Sequence, residues 1–355
     1  MKKIRIGMMG FGRVGRQIYE IAKADKQIEM VAISDIGQPK ILHHLLQKTM
    51  SSSTGVKLDG NYLVDKDHRT RLMTAISPAE VPWDVFDVDV VIDATRRFNN
   101  PQALQPYLDN GAQRVVMTGL PQQDIDRVIL FGVNDSSAHA RDKLVSAGSA
   151  STTATALALK VICAKHEVKH ASLTSVHAYT SDQSLQDYAG ADYRRSRSGA
   201  ENIIPNDSPA PYWVAQALPA IADKLSGYAL NVPVQNGSMV DLSMVLDDSA
   251  ADVKKINALY RDAGRMHPAL IRTTDDPIVS SDVRGCRQSV LVDLKGTMKA
   301  GANIIKLLAW HESLGHAYRV LDVVKLYAAL DHHPASNTDD NRDPTKTDQP
   351  SEEIA

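Results

Sequence analysis

Two patterns of apolar residues follow one another along the chain and meet near residue 150. In the first, short β-branched runs predict buried strands, and the stretches between them, such as 16–24 and 101–110, have helical periodicity. The runs occupy Ile4–Met9 and residues 30–34, 88–93, 114–118, 128–133 and 144–147. This alternation of strands and helices predicts an α/β fold with a doubly wound parallel sheet and helices on both faces.

The second pattern begins with an apolar helical stretch at 155–166 and continues with longer alternating strands. These strands are predicted at 169–176, 228–234, 239–246, 289–294 and 303–310. They indicate a second, α+β domain with a mixed or antiparallel sheet. We therefore expect one domain at 1–149 and another at 150–315, with a helix at 316–330 that completes the first domain.

The end of the chain has a different composition. From residue 331 onward it is polar and contains proline and short acidic runs. No apolar stripe is present on which a helix or strand could pack. The segment 331–355 is therefore predicted to be a disordered tail.

Composition narrows the class of protein. The 355 residues carry a formal net charge of −2 and contain two cysteines. Near-neutral charge gives no support for a nucleic-acid binder, and no apolar run reaches the roughly 18–20 residues of a membrane-spanning helix. The N-terminus lacks a signal-peptide pattern, and two cysteines fit a reducing compartment. We expect a soluble cytoplasmic protein without nucleic-acid or membrane partners.

A glycine motif lies between the first predicted strand and the first helix. Gly10-Phe11-Gly12-Arg13-Val14-Gly15 has the spacing of Rossmann-type dinucleotide sites, in which the helix N-terminus receives the pyrophosphate. Asp35 ends the second strand, twenty residues after Gly15, where a carboxylate would bind the adenosine ribose. The motif predicts a dinucleotide site, and the alternative is a purely structural turn. An acid at Asp35 favours NAD over NADP.

Two segments further along carry the chemical signal. Ser149-Ala150-Ser151-Thr152-Thr153 is followed by Thr174-Ser175-Val176-His177-Ala178-Tyr179-Thr180, so that His177 stands 27 positions after Ala150. They resemble the active site of the phosphorylating glyceraldehyde-3-phosphate dehydrogenase family, including its erythrose-4-phosphate dehydrogenase relatives. Further matches run from about residue 3 to residue 330, including Gly132-Val133-Asn134, Asp192-Tyr193-Arg194-Arg195-Ser196-Arg197 and Lys306-Leu307-Leu308-Ala309-Trp310.

The resemblance implies a covalent mechanism. In the family, a cysteine thiolate attacks an aldehyde, hydride passes to the nicotinamide, and inorganic phosphate cleaves the resulting thioester to an acyl phosphate. His177 matches the histidine that activates the thiol; the alternative is a hydrogen-bonded core histidine. Ala150 occupies the cysteine's position. The chain as written is therefore expected to be inactive in this reaction, whether Ala150 is an engineered substitution or a natural loss.

No other residue is a convincing substitute for the missing thiol. Ser151 is adjacent, but an alcohol is a poor nucleophile without an aligned base. Cys163 stands thirteen residues along a helix, about 20 Å away. Cys286 is flanked by Arg284 and Arg287, which would lower its pKa, but a structural role is favoured.

The resemblance also implies further binding residues. Those for the cofactor, beside the glycine motif and Asp35, are Thr95, Phe98, Thr118 and Ser313. Those for substrate and phosphate are Ser149, Ser151, Thr180, Ser208 and Asn231. No metal site is predicted.

Four features depart from the family pattern. Asn231 replaces an arginine, and Pro209 removes a backbone donor for phosphate. Arg96-Arg97 replaces a glycine-containing turn, so either these arginines reach the 2′-phosphate of NADP or they are solvated surface charges. The segment 310–315 is one residue shorter than in the family, and Glu312 or Ser313 stands where an asparagine would hold the nicotinamide amide.

These observations lead to three hypotheses. The first is an NAD(P)-dependent phosphorylating aldehyde dehydrogenase of glycolysis, acting on a sugar-phosphate aldehyde and inorganic phosphate. The second is an NAD-binding pseudoenzyme with a regulatory or interaction role, and the third is a relative that oxidises a different aldehyde. The resemblance further implies a homotetramer, in which the loop with Arg194, Arg195 and Arg197 packs between subunits.

Overall fold

The first sheet contains the six strands expected from the N-terminal half and three further strands between residues 57 and 74 that were not predicted from the sequence. The computed structural model describes residues 3–49, 55–66, 68–180 and 183–332. Within these ranges, nine strands form this sheet in the order β3-β4-β5-β2-β1-β6-β7-β9-β8. They are β1 (Ile4–Met9), β2 (Ile28–Asp35), β3 (Lys57–Asp59), β4 (Tyr62–Asp65), β5 (His68–Thr74), β6 (Val90–Asp93), β7 (Arg114–Met117), β8 (Arg127–Val128) and β9 (Leu144–Ser146). In this order, the neighbouring strands from β5 through β2, β1, β6, β7 and β9 to β8 are all parallel. The other edge, β3–β4–β5, is antiparallel.

The second sheet is mixed, as the longer strands predict. Its seven strands within the described ranges follow the order β11-β12-β10-β13-β16-β15-β14. They are β10 (Val168–Ala178), β11 (Ile204–Asp207), β12 (Leu225–Val232), β13 (Ser238–Leu246), β14 (Ile271–Thr274), β15 (Val290–Ala300) and β16 (Ile304–His311). β10–β12 and β14–β15 are parallel, and the other pairs are antiparallel. The predicted fold class, a Rossmann-type sheet plus an α+β unit, is confirmed.

Seven α-helices of the described residues cover these sheets. They are α1 (Arg13–Ala24), α2 (Pro39–Thr49), α3 (Pro101–Asp109), α4 (Ala150–Cys163), α5 (Ala210–Ala217), α6 (Val253–Met266) and α7 (Ser313–His332). Helix α4 is buried along most of its length, and its Ala154 and Leu157 share a core with Ala171 and Leu173 of β10. Helix α4 therefore packs on one face of the second sheet.

Helix α7 returns the chain to the first sheet. Its Val320 and Val324 lie in the same core cluster as Ile6 and Ile18, and α7 packs against α1. Arg114, 1% exposed, forms an ion pair with Asp331 near the end of α7 and donates to the carbonyl oxygen of Asp142 at 2.7 Å. These contacts fasten the last helix to the sheet that contains the glycine motif.

Several predicted elements differ from the structure in their bounds. The strand expected at 128–133 covers only Arg127–Val128, because Gly132 has a left-handed φ of 88° and Asn134 Oδ1 accepts the N–H of Leu130 at 2.8 Å in a turn. Helix α4 begins at Ala150, five residues before the predicted start, and α7 begins at Ser313 rather than 316. Most of the predicted tail, 333–355, lies outside the described residues.

Candidate active site

The glycine motif lies at the edge of the first sheet where its parallel strands end. Gly10 follows β1 with φ of 95°, and a Cβ there would lie 2.7 Å from the carbonyl carbon of Ala94. A Cβ on Gly15 would lie 2.2 Å from the oxygen of Gly10, so Gly15 allows α1 to pack against the turn. A Cβ on Gly12 would have no atom within 4 Å. Open space therefore lies before the α1 N-terminus, as a bound pyrophosphate requires.

The carboxylate of Asp35 is held by backbone donors. Its Oδ2 accepts the N–H of Phe11 at 2.6 Å, and its Oδ1 accepts the N–H of Gly37 at 2.8 Å. Each oxygen retains acceptor capacity for a ribose hydroxyl. The Phe11 ring is buried against Tyr19, with centroids 5.8 Å apart, so Phe11 meets the site only through its backbone.

The loop after β6 lies beside the same turn. Thr95 donates from both its N–H and its hydroxyl to Asp93 Oδ1 at 2.7 Å, and burial raises the pKa of Asp93 to about 6. Arg96 is exposed and has a left-handed φ of 60°. The Phe98 ring packs edge to face on Tyr107, with centroids 6.2 Å apart. Thr95 is thus fixed next to Gly10, and Phe98 is held by Tyr107 further along the same loop.

A third part of this edge comes from the start of α7. His316 Nε2 lies 2.9 Å from the carbonyl oxygen of Thr118, directly after β7. Ser313 Oγ donates to Glu312 Oε1 at 3.4 Å, and Glu312 Oε2 accepts the N–H of Leu314 at 3.3 Å. Burial raises the pKa of Glu312. Arg13 of α1 donates to the carbonyl oxygen of Gln235 at 3.4 Å, linking this edge to the second sheet.

Ala150 is the first residue of α4. Ser149 caps the helix: its Oγ accepts the N–H of Thr152 at 3.3 Å and lies 2.7 Å from Thr152 Oγ1. Ser151 is buried, and its Oγ lies 3.3 Å from Ser149 Oγ. A side chain at position 150 stands at the positive end of a 14-residue helix, where a cysteine thiolate would be stabilised.

The second sheet places a row of polar side chains on the face that α4 covers. Ala171, Leu173, Ser175 and His177 alternate onto this face of β10, and Ala171 and Leu173 pack with α4. His177 pairs with Asn231 of β12.

The row continues to β16 on the other side of His177. Val176 pairs with Met239 in the antiparallel β10–β13 pair, so the next residue, His177, lies opposite Ser238. Ser238 in turn pairs with His311 of β16. Since α4 and β10 are joined by a short connection and run in opposite directions, the α4 N-terminus and His177 lie toward the same end of this unit.

His177 has two described neighbours. Its Nε2 lies 3.0 Å from Ser175 Oγ, and its ring meets the ring of His311 edge to face with centroids 5.9 Å apart. His311 is 3% exposed, and burial lowers its pKa to about 3. His311 is therefore neutral near pH 7, and the half-buried His177 lies beside it.

An amide network lies beside His177. Asn231 Nδ2 donates to Gln183 Oε1 at 2.8 Å, and Asn206 Nδ2 donates to Asn231 Oδ1. Gln183 Oε1 also accepts the N–H of Thr180 at 3.3 Å, and Arg195 Nη1 donates to Asn206 Oδ1 at 3.5 Å. The network joins Asn231 to the segment that follows His177. Asn231 is 8% exposed, and its amide is engaged on both sides.

Ser208 lies apart from this network. Asn231 pairs with Ile204, and Ser208 stands four residues further along, about 13 Å from Asn231 along the sheet. Ser208 Oγ accepts the N–H of Ala210 at 3.3 Å, and Pro209 precedes α5. The two residues that follow Thr180, Ser181 and Asp182, lie outside the described residues.

Neither cysteine has the environment of a reactive thiol. Cys163 ends α4, at the opposite end from Ala150, and burial raises its pKa. Burial also raises the pKa of Cys286, and this effect exceeds that of the nearby Arg272. The arginines on either side of Cys286 therefore do not produce the expected lowering.

Sequence reasoning missed His311, His316 and Gln183 as members of the site. His311 lies within the shortened segment 310–315, and His316 directly follows it. Their adjacency to His177 and Thr118 depends on which strands neighbour one another. Within the described ranges, no three His, Cys, Asp or Glu side chains group as metal ligands. No helix of the described residues is long and apolar enough to span a bilayer.

Comparison with known proteins matches two stretches of the chain to one family. Residues 4–101 match the sequence profile described as glyceraldehyde 3-phosphate dehydrogenase, NAD binding domain, and residues 149–313 match that of the C-terminal domain. The chain is 33% identical over 325 residues to glyceraldehyde-3-phosphate dehydrogenase 1 of Bacillus cereus, which covers 90% of this chain and 97% of the relative. It is 36% identical over 337 residues to glyceraldehyde-3-phosphate dehydrogenase of Kitasatospora aureofaciens, which covers 92% and 99%.

Proposed function

The chain belongs to the glyceraldehyde-3-phosphate dehydrogenase family of NAD-dependent oxidoreductases, and we propose that its site is built to oxidise an aldehyde to an acyl phosphate. The family substrate would be a sugar-phosphate aldehyde, with inorganic phosphate as the second substrate. Ala150 removes the covalent step, so the chain as written would bind its ligands without completing the reaction. One observation carries the proposal: Ala150 begins the helix that packs on the face containing His177.

The bound NAD would supply the hydride acceptor. Gly12, Asp35 and Thr95 would hold it, because they combine open space, an oriented carboxylate and a fixed loop at one edge of the sheet. His177 would accept the proton released when a nucleophile at position 150 adds to the aldehyde, while the free N–H groups of α4 favour the developing negative charge. Ser149 and Ser151 would contact the substrate beside this helix end.

The experiment restores the missing nucleophile. Ala150→Cys should form NADH in a reaction that requires both aldehyde and inorganic phosphate, followed by the absorbance of NADH with D-glyceraldehyde 3-phosphate. Ala150→Ser is the matched control, because it adds a heavy atom of similar position but a far weaker nucleophile. Cofactor binding by Ala150→Cys without turnover on any aldehyde would favour the NAD-binding pseudoenzyme instead.

The amide network favours a second candidate, oxidation of an aldehyde without a phosphate group. Asn231 and Gln183 are neutral and bonded to each other, and charge-assisted contacts to a phosphate are roughly twice as strong as neutral ones. In the Ala150→Cys background, Asn231→Arg should then raise kcat/KM for D-glyceraldehyde 3-phosphate relative to D-glyceraldehyde by about 10-fold or more. A strong preference for the phosphorylated aldehyde with Asn231 in place would exclude this candidate.

We also propose a homotetramer that works in cytoplasmic glycolysis, with a cofactor domain at 1–149 completed by the last helix and a catalytic domain at 150–315. The exposed Leu185, Tyr193 and Ile203 support an interface on the segment that carries Arg194 and Arg197. Light scattering after gel filtration should give four times the chain mass of 38.8 kDa. A monomer mass at micromolar concentration would contradict the assembly.

A further inference from the structure

His316 is fixed in one tautomer at the junction of the two sheets. The ring is 6% exposed, and its Nε2 lies 2.9 Å from the carbonyl oxygen of Thr118. A carbonyl oxygen only accepts hydrogen bonds, so Nε2 carries the proton. Burial lowers the pKa of His316 to about 4, which keeps the ring neutral near pH 7. Nδ1 is consequently an unprotonated acceptor.

This acceptor is unsatisfied within the described part of the chain. His316 Nδ1 is buried and has no hydrogen-bond partner there. Leaving a buried acceptor unpaired costs about 1–3 kcal/mol, and such groups are rare unless a ligand or water completes them. A group that donates one hydrogen bond would remove this cost.

Three neighbours define where the ring lies. Thr118 follows β7 at the edge that also contains Gly10 and Asp35. Arg96, in the loop after β6, is close enough to influence the charge state of His316, and His316 in turn influences that of His311. His316 therefore lies between the cofactor edge and the row that contains His177. If the proposed function is right, a bound nicotinamide would lie in this region, between the cofactor edge and a substrate at His177.

The alternative acceptors near this point are already engaged. Glu312 accepts the N–H of Leu314 and the hydroxyl of Ser313, and Ser313 Oγ is used in that contact. A carboxylate such as that of Glu312 would attract the cationic pyridinium ring as well as the amide N–H. The neutral imidazole of His316 would interact with the amide by hydrogen bonding alone. His316 Nδ1 differs from these acceptors because it has no hydrogen-bond donor at all among the described residues, so it gains most from an amide N–H.

We infer that His316 Nδ1 accepts a hydrogen bond from the carboxamide N–H of the bound nicotinamide and so orients that ring. The inference rests on the proposed NAD-dependent function. His316 is a positioning residue in this role, because it contacts the cofactor amide rather than the carbon that accepts hydride.

The test compares three ligands by calorimetry on the full chain. NAD⁺ carries the carboxamide, ADP-ribose lacks the nicotinamide ring, and 3-acetylpyridine adenine dinucleotide has a methyl group in place of the amide nitrogen. His316→Phe should weaken the binding of NAD⁺ about 3- to 10-fold, the value of one neutral hydrogen bond. The dissociation constants of the other two ligands should change by less than about twofold. His332→Phe, at the exposed far end of the same helix, is the matched control.

Two outcomes contradict the inference, and they are distinguishable. Equal weakening of NAD⁺ and ADP-ribose, or of NAD⁺ and the acetylpyridine analogue, would mean that His316 supports only the fold. Failure of the parent chain to bind NAD⁺ and ADP-ribose would overturn the proposed function together with this inference.

A measurement on the unsubstituted chain covers the case in which His316→Phe does not fold. With ¹⁵N-labelled histidine, the Nδ1 resonance of His316 should move upfield on addition of NAD⁺, since the unprotonated nitrogen gains a donor. ADP-ribose should not move it. An unchanged Nδ1 resonance at saturating NAD⁺ would overturn the inference.

Discussion

The rings of His177 and His311 meet edge to face, with centroids 5.9 Å apart and planes at 71°. They belong to β10 and β16, which are separated by β13, and the residue between them in the row is the small Ser238. His311 is buried, and its Nε2 has no hydrogen-bond partner among the described residues. The His177 ring, which is expected to act on a nucleophile at position 150, therefore packs against the neutral ring of His311.

The buried histidines should make stability depend on acid. The pKa values of His311 and His316 are lowered to about 3 and about 4, whereas an unfolded histidine has a pKa of about 6.5. Below pH 6.5 the unfolded chain binds protons that the folded chain does not, so the free energy of unfolding falls until the folded pKa values are reached. The full effect is about 3–5 kcal/mol per histidine.

Urea denaturation at a series of pH values measures this dependence. His311→Phe should flatten the fall between pH 6.5 and pH 4 relative to the parent. The control is His170→Gln, an exposed position on β10, which should leave the slope unchanged. If the free energy of unfolding of His311→Phe and of the parent fell in parallel with pH, the pKa of His311 would not be lowered by folding.

Asp35 should set the preference for NAD. Its carboxylate is oriented by the N–H groups of Phe11 and Gly37 and would repel a 2′-phosphate. Asp35→Gly should weaken the binding of NAD about 10-fold or more, which is the value of one to two hydrogen bonds to a charged group. It should spare or improve the binding of NADP. Titration calorimetry with both cofactors measures the change, with Asp59→Gly at the sheet edge as control. If the parent prefers NADP, the ribose argument is wrong and Arg96 becomes the leading phosphate partner.

A cysteine introduced at position 150 should be the most reactive thiol. It would begin α4 near His177, and both surroundings favour the thiolate, whereas burial raises the pKa of Cys163 and Cys286. Ala150→Cys should therefore be alkylated by iodoacetamide faster than the two native cysteines, as measured by peptide mass spectrometry. Adding His177→Asn should slow this alkylation at neutral pH. Equal rates at all three thiols would place the family nucleophile elsewhere.

Arg96 should carry backbone strain. Its φ of 60° lies in the left-handed region, which costs a non-glycine residue about 1 kcal/mol or more, and the family resemblance places a glycine-containing turn here. Arg96→Gly should raise the free energy of unfolding by up to about 1 kcal/mol in urea denaturation. Arg97→Gly is the matched control, because its φ is not positive and the change should destabilise the chain or have no effect. Equal effects of both substitutions would argue against strain at Arg96.

Local patterns in the sequence were sufficient for much of the fold. β-branched runs and the glycine motif predicted β1 at its observed bounds and the cofactor edge around Gly10 and Asp35, because the strand–turn–helix unit is formed by residues close together in the chain. The predicted start of α4 is five residues too late, because Ser151 and Thr152 interrupt the apolar pattern. Ser149 nevertheless caps the helix, which begins at Ala150. The two-residue β8 was overextended because Gly132 and Asn134 turn an apolar run away from the sheet.

The chemical frame also came from sequence, since His177 and Ala150 stand in ordered motifs. What only the tertiary structure decided is which side chains share the site. His177, Asn231 and His311 come together because β10, β12, β13 and β16 are neighbours in one register, and such pairing over long sequence separations leaves no local pattern. The tautomer of His316 likewise depends on the carbonyl of Thr118, 198 positions away. Sequence determined the kinds of residues available, and burial and strand order determined which of them are charged, paired or left open to a ligand.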